Sequence, residues 1–346
     1  MARQNRRERK VRGSKIRSGR DESASTARTR QSAAERDVAS SPRDDDLTDR
    51  FVPDGDSFVE TPAVASLKAR VDRWLSVDRP VHLVGPTGCG KTALAMAVAR
   101  ERDRPVVFVN GDADMTTADL VGEFAESERH TVRDKYVHNV QKSTDVVRDR
   151  WVDNPLTTAV KEGATLVYNE FSRTKPVANN VLLSVFEEGV LELPGQRGAS
   201  RYVDVHPEFR TVLTSNSAEY AGVHTPQDAL LDRLVGVHMD FYDAETERAI
   251  VRNSVPDVDA ELAGDVVDAL RALREAVDLT IGTRKMVMTA QGLSTVDTVD
   301  ADVVADVVCD VLGSKVSGIE ELGRLREDVV EVLDDRTIGL TGDSSE

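Results

Sequence analysis

Cysteine, aromatic residues and long apolar runs are all scarce in this sequence of 346 residues. Its two cysteines, Cys89 and Cys309, do not indicate a disulfide framework. No apolar run approaches the roughly 18 residues of a membrane-spanning helix, so we expect no membrane contact. Arginines near the N-terminus have no apolar segment behind them, which is not the pattern of a secretory signal. We therefore expect a cytoplasmic protein.

Lysine is scarce beside arginine, and the net charge of −16 is unevenly distributed. Residues 1–40 hold 12 Lys and Arg against 5 Asp and Glu, a net charge of +7, so the other 306 residues hold 33 against 56 and carry −23. Exposed carboxylates keep a protein hydrated where salt screens its charges. This composition favours a halophilic cytoplasm; the alternative is an ordinary acidic protein.

The composition predicts four segments. Residues 1–57 contain almost no large apolar side chains and are expected to form a tail that cannot fold alone. A nucleotide-binding domain is predicted over 58–242, a helical domain over 243–335, and a second short tail over 336–346. The basic arm of the first tail could bind nucleic acid or an acidic protein face, or it could be only solvated.

Apolar segments of strand and helix character alternate after residue 58. Strands are predicted at 81–84, 106–110, 164–168, 209–213 and 235–239, and helices at 61–75, 93–99, 151–161, 176–188 and 227–234, with Trp74 in the core. Alternation of this kind predicts an α/β fold with a parallel five-stranded sheet covered by helices on both faces. Beyond residue 242 only helices are predicted, at 244–252, 258–277, 284–293, 301–312 and 319–332.

A phosphate-binding loop is predicted between the first strand and the helix that follows it. The residues that match G-x-x-x-x-G-K-[ST] are Gly85, Pro86, Thr87, Gly88, Cys89, Gly90, Lys91 and Thr92. The glycines allow backbone N–H groups to surround phosphate oxygens at the positive end of a helix. We expect Lys91 to neutralise the β- and γ-phosphates of a nucleotide and the Thr92 hydroxyl to bind Mg²⁺.

Four further residues are candidates for the chemistry of phosphoryl transfer. Asn169 and Glu170 end the third strand, where Asn169 would hold Mg²⁺ through water and Glu170 would polarise the attacking water. Asn216 ends the fourth strand and could contact the γ-phosphate, although Asn is also a common turn residue. Arg233 suits insertion into a neighbouring subunit's site, or an ion pair with Asp232. Arg284 could reach the phosphates of its own subunit, or it could be a solvated side chain.

These motifs occur in the order and approximate spacing of an AAA+ ATPase, and the chain resembles that family over residues 58–293. The stretch 179–194, a helix followed by the start of a hairpin, and the stretch 209–222 resemble the MoxR branch of the family. Within that branch, the Tyr168–Pro176 segment and the acidic, arginine-tailed composition are most similar to the GvpN family of gas vesicle proteins of halophilic archaea. The family usually has Asp where this chain has Asn169, which implies weaker Mg²⁺ binding and slower turnover but not a loss of nucleotide binding.

The resemblance implies an ATPase that binds ATP and Mg²⁺ and works as a ring, a hexamer, on partner proteins. It implies an accessory role in enlarging gas vesicles, beside other accessory and structural vesicle proteins, in the cytoplasm or at the vesicle. One alternative is a MoxR-type chaperone that activates a metalloenzyme, and another is a nucleotide-gated binder with little hydrolysis because of Asn169. A nucleic-acid motor is disfavoured because the folded part is acidic, where a DNA channel would be basic.

Overall fold

The structure of the chain is a computed structural model. It describes residues 58–125, 150–216 and 227–335, together with the backbone of two strands at 129–133 and 143–147. The predicted tails at 1–57 and 336–346 lie outside the described residues, as does part of the 209–222 stretch.

The described residues contain eleven strands and twelve α-helices. The strands are β1 (Val81–Gly85), β2 (Val106–Asn110), β3 (Gly122–Ala125), β4 (Arg129–Arg133), β5 (Ser143–Val147), β6 (Arg150–Asp153), β7 (Thr165–Asn169), β8 (Val190–Glu192), β9 (Tyr202–Asp204), β10 (Arg210–Asn216) and β11 (Val235–His238). The helices are α1 (Pro62–Leu75), α2 (Lys91–Glu101), α3 (Thr117–Val121), α4 (Pro155–Glu162), α5 (Pro176–Asn179), α6 (Val181–Glu187), α7 (Asp228–Leu231), α8 (Ala244–Ser254), α9 (Ala260–Ala276), α10 (Thr283–Leu293), α11 (Ala301–Leu312) and α12 (Ile319–Asp335).

The predicted parallel five-stranded sheet is confirmed. Its strand order is β11-β1-β10-β7-β2, and every neighbouring pair is parallel. The register sets Gly85 beside Asn216 and Asn110 beside Asn169. Since all five strands are parallel, their carboxyl ends meet at one edge of the sheet, which is where ligands bind in open α/β folds.

Strand alternation gives the sheet two apolar faces, and each face packs into its own core. One core holds Leu83, Val167 and Val212 with helices α1 and α2, and the other holds Val107, Leu166, Tyr168 and Leu213 with α4 and α6. These strands read as nearly continuous apolar runs because helices cover both of their faces. The helices from α8 onward share a third core, built largely from Val, Leu and Ala side chains. Among the described helices, none is both long and apolar enough to cross a membrane.

Three expectations about local structure are wrong. The helix predicted from Trp151 begins at Pro155, because Trp151 lies in β6 and pairs across the hairpin with Phe124 of β3, ring centroids 5.2 Å apart. The helix predicted over 176–188 is divided at Asn180 into α5 and α6. Trp74 is 39% exposed rather than in the core, because α1 buries the face that carries Val64, Val71 and Leu75.

Candidate active site

The predicted phosphate-binding loop joins β1 to α2 at the carboxyl edge of the sheet. Gly88 and Gly90 have φ of 84° and 91°, a left-handed backbone that residues with a Cβ rarely adopt. Gly90 precedes the first helical residue, so the free N–H groups of the first turn of α2 face the loop. The turn therefore has the left-handed backbone for which glycine is suited, at the N-terminus of a helix.

Lys91 and Asn216 meet where β1 and β10 end. Lys91 is 5% exposed, and its ammonium donates to the carbonyl oxygens of Gly85 and Pro86, at 3.0 and 2.7 Å, and to Asn216 Oδ1 at 3.0 Å. Asn216 Nδ2 donates to Glu170 Oε2 at 3.0 Å. One amide thus connects the cation of the loop to the carboxylate at the end of β7.

Asn169 occupies a second junction of hydrogen bonds. Its Oδ1 accepts from the hydroxyls of Thr92 at 2.6 Å and Thr214 at 2.8 Å, and its Nδ2 donates to Asn110 Oδ1 at 2.8 Å. Thr214 also accepts from the backbone N–H of Glu170 at 3.1 Å. The end of β7 is thereby fixed to α2, β2 and β10.

The oxygen atoms at this junction fit a magnesium ion. Mg²⁺ prefers oxygen ligands and is usually held in nucleotide sites by few protein groups together with substrate phosphates. The Thr92 hydroxyl and Asn169 Oδ1 lie within 2.6 Å of each other, and Glu170 follows Asn169 in the chain. Within the described part of the chain, no three His, Cys, Asp or Glu side chains converge as a metal site. The two side-chain oxygens of this junction that would hold the ion, those of Thr92 and Asn169, carry no charge.

Two arginines predicted at the site lie apart from this network. The guanidinium of Arg233, on the turn after α7, donates from Nε to Glu187 Oε2 at 3.1 Å, pairs with the same carboxylate through Nη2, and contacts the Ala229 carbonyl oxygen through Nη1. Its ion-pair partner is thus Glu187 of α6 rather than the sequence neighbour Asp232. Arg284 is exposed at the start of α10.

Two residues outside the predicted set also contact the loop. The Tyr242 ring lies against Gly90, where an added Cβ would be 3.2 Å from Tyr242 Cε2. Gly282 lies against the other side of the loop, where an added Cβ would be 2.7 Å from the Thr87 carbonyl oxygen. Burial raises the pKa of Tyr242 to about 12 and also raises the pKa of the Cys89 thiol. Both side chains are therefore neutral near pH 7.

Sequence reasoning missed Thr214, Asn110 and Tyr242. A signal existed for the first two, because Thr214 lies two residues before Asn216, and Asn110 ends β2 as Asn169 ends β7. Their contacts depend on which strands are neighbours in the sheet, and the local sequence does not indicate the strand order. No local signal marks Tyr242, which comes just after the last strand of the sheet.

Comparison with known proteins agrees with the fold and the loop. Residues 80–234 match the family described as AAA domain (dynein-related subfamily). The chain is 64% identical over 340 residues to the gas vesicle ATPase GvpN2 of Halobacterium salinarum, covering 97% of this chain and 98% of that protein. It is 62% identical to the gas vesicle ATPase GvpN of Haloferax mediterranei, covering 93% and 95%. A distant MoxR-family relative is protein CbbQ of Hydrogenophilus thermoluteolus, 28% identical over 60% of this chain and 72% of that one.

The parallel sheet, the phosphate-binding loop and the AAA domain match define an AAA+ ATPase, an enzyme that binds a nucleotide and hydrolyses ATP. The identities of 64% and 62% across nearly the whole chain are more specific. The chain belongs to the GvpN family of gas vesicle ATPases.

Proposed function

We propose that this chain is an ATP-driven assembly factor that enlarges gas vesicles by acting on their accessory and structural proteins. The names of its relatives support the vesicle context, and the site supports the chemistry. The proposal includes a homo-oligomeric ring, a hexamer, in the cytoplasm or at the vesicle surface. Nucleic acid is not a proposed partner, because residues 41–346 carry a net charge of −23.

The observation that carries the proposal is the connected series Lys91–Asn216–Glu170 at the carboxyl edge of the sheet. In this proposal, backbone N–H groups of residues 85–92 bind the phosphates, and Lys91 turns from the loop carbonyls to the β- and γ-phosphates. Glu170 accepts a hydrogen bond from the attacking water and orients it, while Asn216 holds both Glu170 and the γ-phosphate. When bound at Thr92 and Asn169, Mg²⁺ would neutralise charge on the phosphates.

Arg233 and Arg284 supply positive charge from two directions. We assign Arg233 to the nucleotide of the neighbouring subunit, which requires it to leave Glu187, and Arg284 to the nucleotide of its own subunit. An arginine supplied across an interface is worth about 10³–10⁵ in rate where it has been measured. The ring is therefore part of the enzyme rather than only a scaffold.

The test of the chemistry is ATP hydrolysis in high salt with Mg²⁺. Lys91→Ala should lose ATP binding, whereas Glu170→Gln should retain binding and lose about 10²-fold or more in turnover, the range for a general base. Lys175→Ala, an exposed lysine at the start of α5, is the matched control and should behave as wild type. Undiminished hydrolysis by Lys91→Ala or Glu170→Gln would refute the assignment.

The test of the ring is to mix two inactive variants. Lys91→Ala subunits retain Arg233, and Arg233→Ala subunits retain Lys91. When the two are mixed in equal amounts, about a quarter of the interfaces in a ring combine an intact Lys91 with an intact Arg233 and form a complete site. Recovery of activity on mixing supports an arginine that acts in trans. Full activity of Arg233→Ala alone, or no recovery on mixing, would contradict it.

The test of the biological role is the length of gas vesicles in a host that lacks its own family member. The wild-type chain should restore long vesicles in electron micrographs, and Lys91→Ala should not. Restoration by Lys91→Ala would separate vesicle growth from nucleotide binding.

A second candidate function is a nucleotide-gated binder that hydrolyses little ATP. Asn169 favours it, because this residue brings no negative charge to the magnesium position. Purified protein that binds ATP without turnover, and that still restores vesicles, would support this candidate. Turnover that Glu170→Gln abolishes would exclude it.

A further inference from the structure

A fully buried carboxylate lies in the helical part of the chain. Glu247 of α8 is 0% exposed. Its oxygens pair with Arg271 at 2.5 Å and Arg274 at 2.8 Å, both on α9, and accept from the Thr283 hydroxyl of α10 at 3.3 Å. We call these four residues the Glu247 cluster. A buried carboxylate needs such partners, because desolvation of an unpaired charge is costly.

Both arginines of the Glu247 cluster bind a second chain segment. Arg271 Nη1 donates to the Tyr242 carbonyl oxygen at 2.9 Å, in the segment that leads from the sheet to α8. Arg274 Nε donates to the Ile281 carbonyl oxygen at 2.6 Å, and its guanidinium lies 4.0 Å from the centroid of the Phe241 ring. The cluster therefore fixes residues 241–242 and 281–283 to the same buried charge.

Both of these segments contact the phosphate-binding loop. The Tyr242 ring lies against Gly90, and Gly282 lies against Thr87 and the next residue along the loop. Arg284 follows Gly282 by two residues, at the start of α10. Glu247 therefore reaches each contact with the loop through one intervening residue. Arg271 joins it to Tyr242, and Thr283 lies between Gly282 and Arg284 in the sequence.

We propose that Glu247 is a positioning residue that, through Arg271, Arg274 and Thr283, holds Arg284 over the phosphate-binding loop in the geometry that distinguishes ATP from ADP. The proposal rests on the proposed function, in which Arg284 binds the phosphates of its own subunit. Since ADP lacks the γ-phosphate, a displaced Arg284 weakens ATP binding and leaves ADP binding, which depends on the loop itself. In this role Glu247 acts through its contacts with the other three residues of the cluster.

The experiment measures the dissociation constants of ATP and ADP in a Glu170→Gln background, where bound ATP is not consumed. Glu247→Gln keeps the shape of the side chain and removes its charge. It should weaken ATP binding about tenfold, or ~1.4 kcal/mol, while ADP affinity changes less than twofold. Arg284→Ala should produce the same selective loss. The double variant should be no weaker than Arg284→Ala alone, because two residues on one route are not additive.

The matched control is a second ion pair between α8 and α9. Arg248 Nη2 donates to both carboxylate oxygens of Asp268, at 2.7 and 2.6 Å, and neither residue is a member of the Glu247 cluster. Asp268→Asn should lower the denaturant midpoint and leave the ratio of ATP to ADP affinity unchanged. If Glu247→Gln does not fold, Arg274→Lys keeps the charge opposite Glu247 and should give a smaller shift in the same direction.

Three results would overturn the proposal: equal weakening of ATP and ADP in Glu247→Gln, an additive loss in the double variant, or no selective loss in Arg284→Ala. The first two would make the cluster a stabilising element only. ATP hydrolysis by the wild-type chain, measured in parallel, tests the proposed function separately. A wild type that hydrolyses ATP while Glu247→Gln keeps its selectivity would refute this inference alone.

Discussion

Gly282→Ala should separate α10 from the phosphate-binding loop without straining its own backbone. Gly282 has φ of −93° and ψ of 168°, a conformation open to alanine, so the effect comes from steric overlap alone. The new Cβ would lie 2.7 Å from the Thr87 carbonyl oxygen, whereas ordinary contact begins at 3.4 Å. Gly282 and the Thr87 carbonyl oxygen must therefore move apart by about 0.7 Å, which should lower the free energy of unfolding by about 1–3 kcal/mol.

A displacement of this size should matter for catalysis, because a misplacement of about 1 Å can cost about 10²-fold in rate. We expect kcat to fall about ten- to a hundredfold in steady-state ATP hydrolysis. The control is Gly264→Ala inside α9, where the added Cβ meets no atom closer than 3.9 Å. It should gain about 0.5–1 kcal/mol of stability from helix propensity and keep wild-type kcat. Wild-type kcat and KM in Gly282→Ala would refute the argument that this contact positions α10.

Three further predictions follow from the site and its surroundings. Asn169→Asp adds a negative charge at the proposed magnesium position, so the Mg²⁺ concentration for half-maximal hydrolysis should fall about two- to fivefold in a magnesium titration; an unchanged titration would contradict the metal assignment. Burial, assisted by the nearby His238, lowers the pKa of His82 to about 4. As the pH falls below 6.5, the His82 imidazole binds a proton in the unfolded chain but not in the folded one. The free energy of unfolding should therefore fall by up to about 1.4 kcal/mol for each pH unit between 6.5 and 4. His82→Gln should flatten that part of a plot of unfolding free energy against pH. Tyr168→Phe removes the hydroxyl that bonds Thr174 and Asn179 at 2.9 and 3.0 Å, and should cost about 1–3 kcal/mol in denaturant unfolding with KM for ATP unchanged.

The sheet was predictable because its strands carry a strong local signal. Each predicted strand overlaps the observed one, and β2 matches at both ends. Parallel strands that are buried on both faces must be continuously apolar, so the runs at 81–84 and 106–110 have few other structural solutions. The loop at 85–92 was predictable for a similar reason, since its glycines are needed for the backbone turn itself.

The β3–β6 hairpin was not predictable from local pattern. Its two strands are separated by 24 residues, and Trp151 joins it by pairing with Phe124 in the ladder and by a ring contact with the same residue. An apolar residue four positions before Pro155 is equally compatible with a helix, and the Pro at the first turn is the signal that identifies the true start. The prediction for Trp74 was wrong for another reason, because packing decides which face of α1 meets the core.

The site was only partly predictable. Lys91, Thr92, Asn169, Glu170 and Asn216 come together as the motif order predicts. The partners of Arg233 and Glu247 belong to other helices, and their identity depends on how those helices pack. A charged residue in a helix gives no sign in the sequence of whether it will be solvated, as Glu245 is, or fully buried, as Glu247 is.

The backbone of Glu170 has a consequence for how this enzyme can be improved. Its φ of 54° is a left-handed conformation, which costs a residue with a side chain about 1–2 kcal/mol compared with glycine. Glu170→Gly relieves this cost but loses the hydrogen bond from Asn216, worth about 0.5–1.5 kcal/mol. The protein should therefore be no easier to unfold while the change ends hydrolysis, and a denaturation curve beside an ATPase assay would show both. A selection for thermostability alone would therefore not remove this change, and it would retain a durable, inactive protein. The carboxylate that the proposed chemistry requires occupies a position where the fold itself would prefer no side chain.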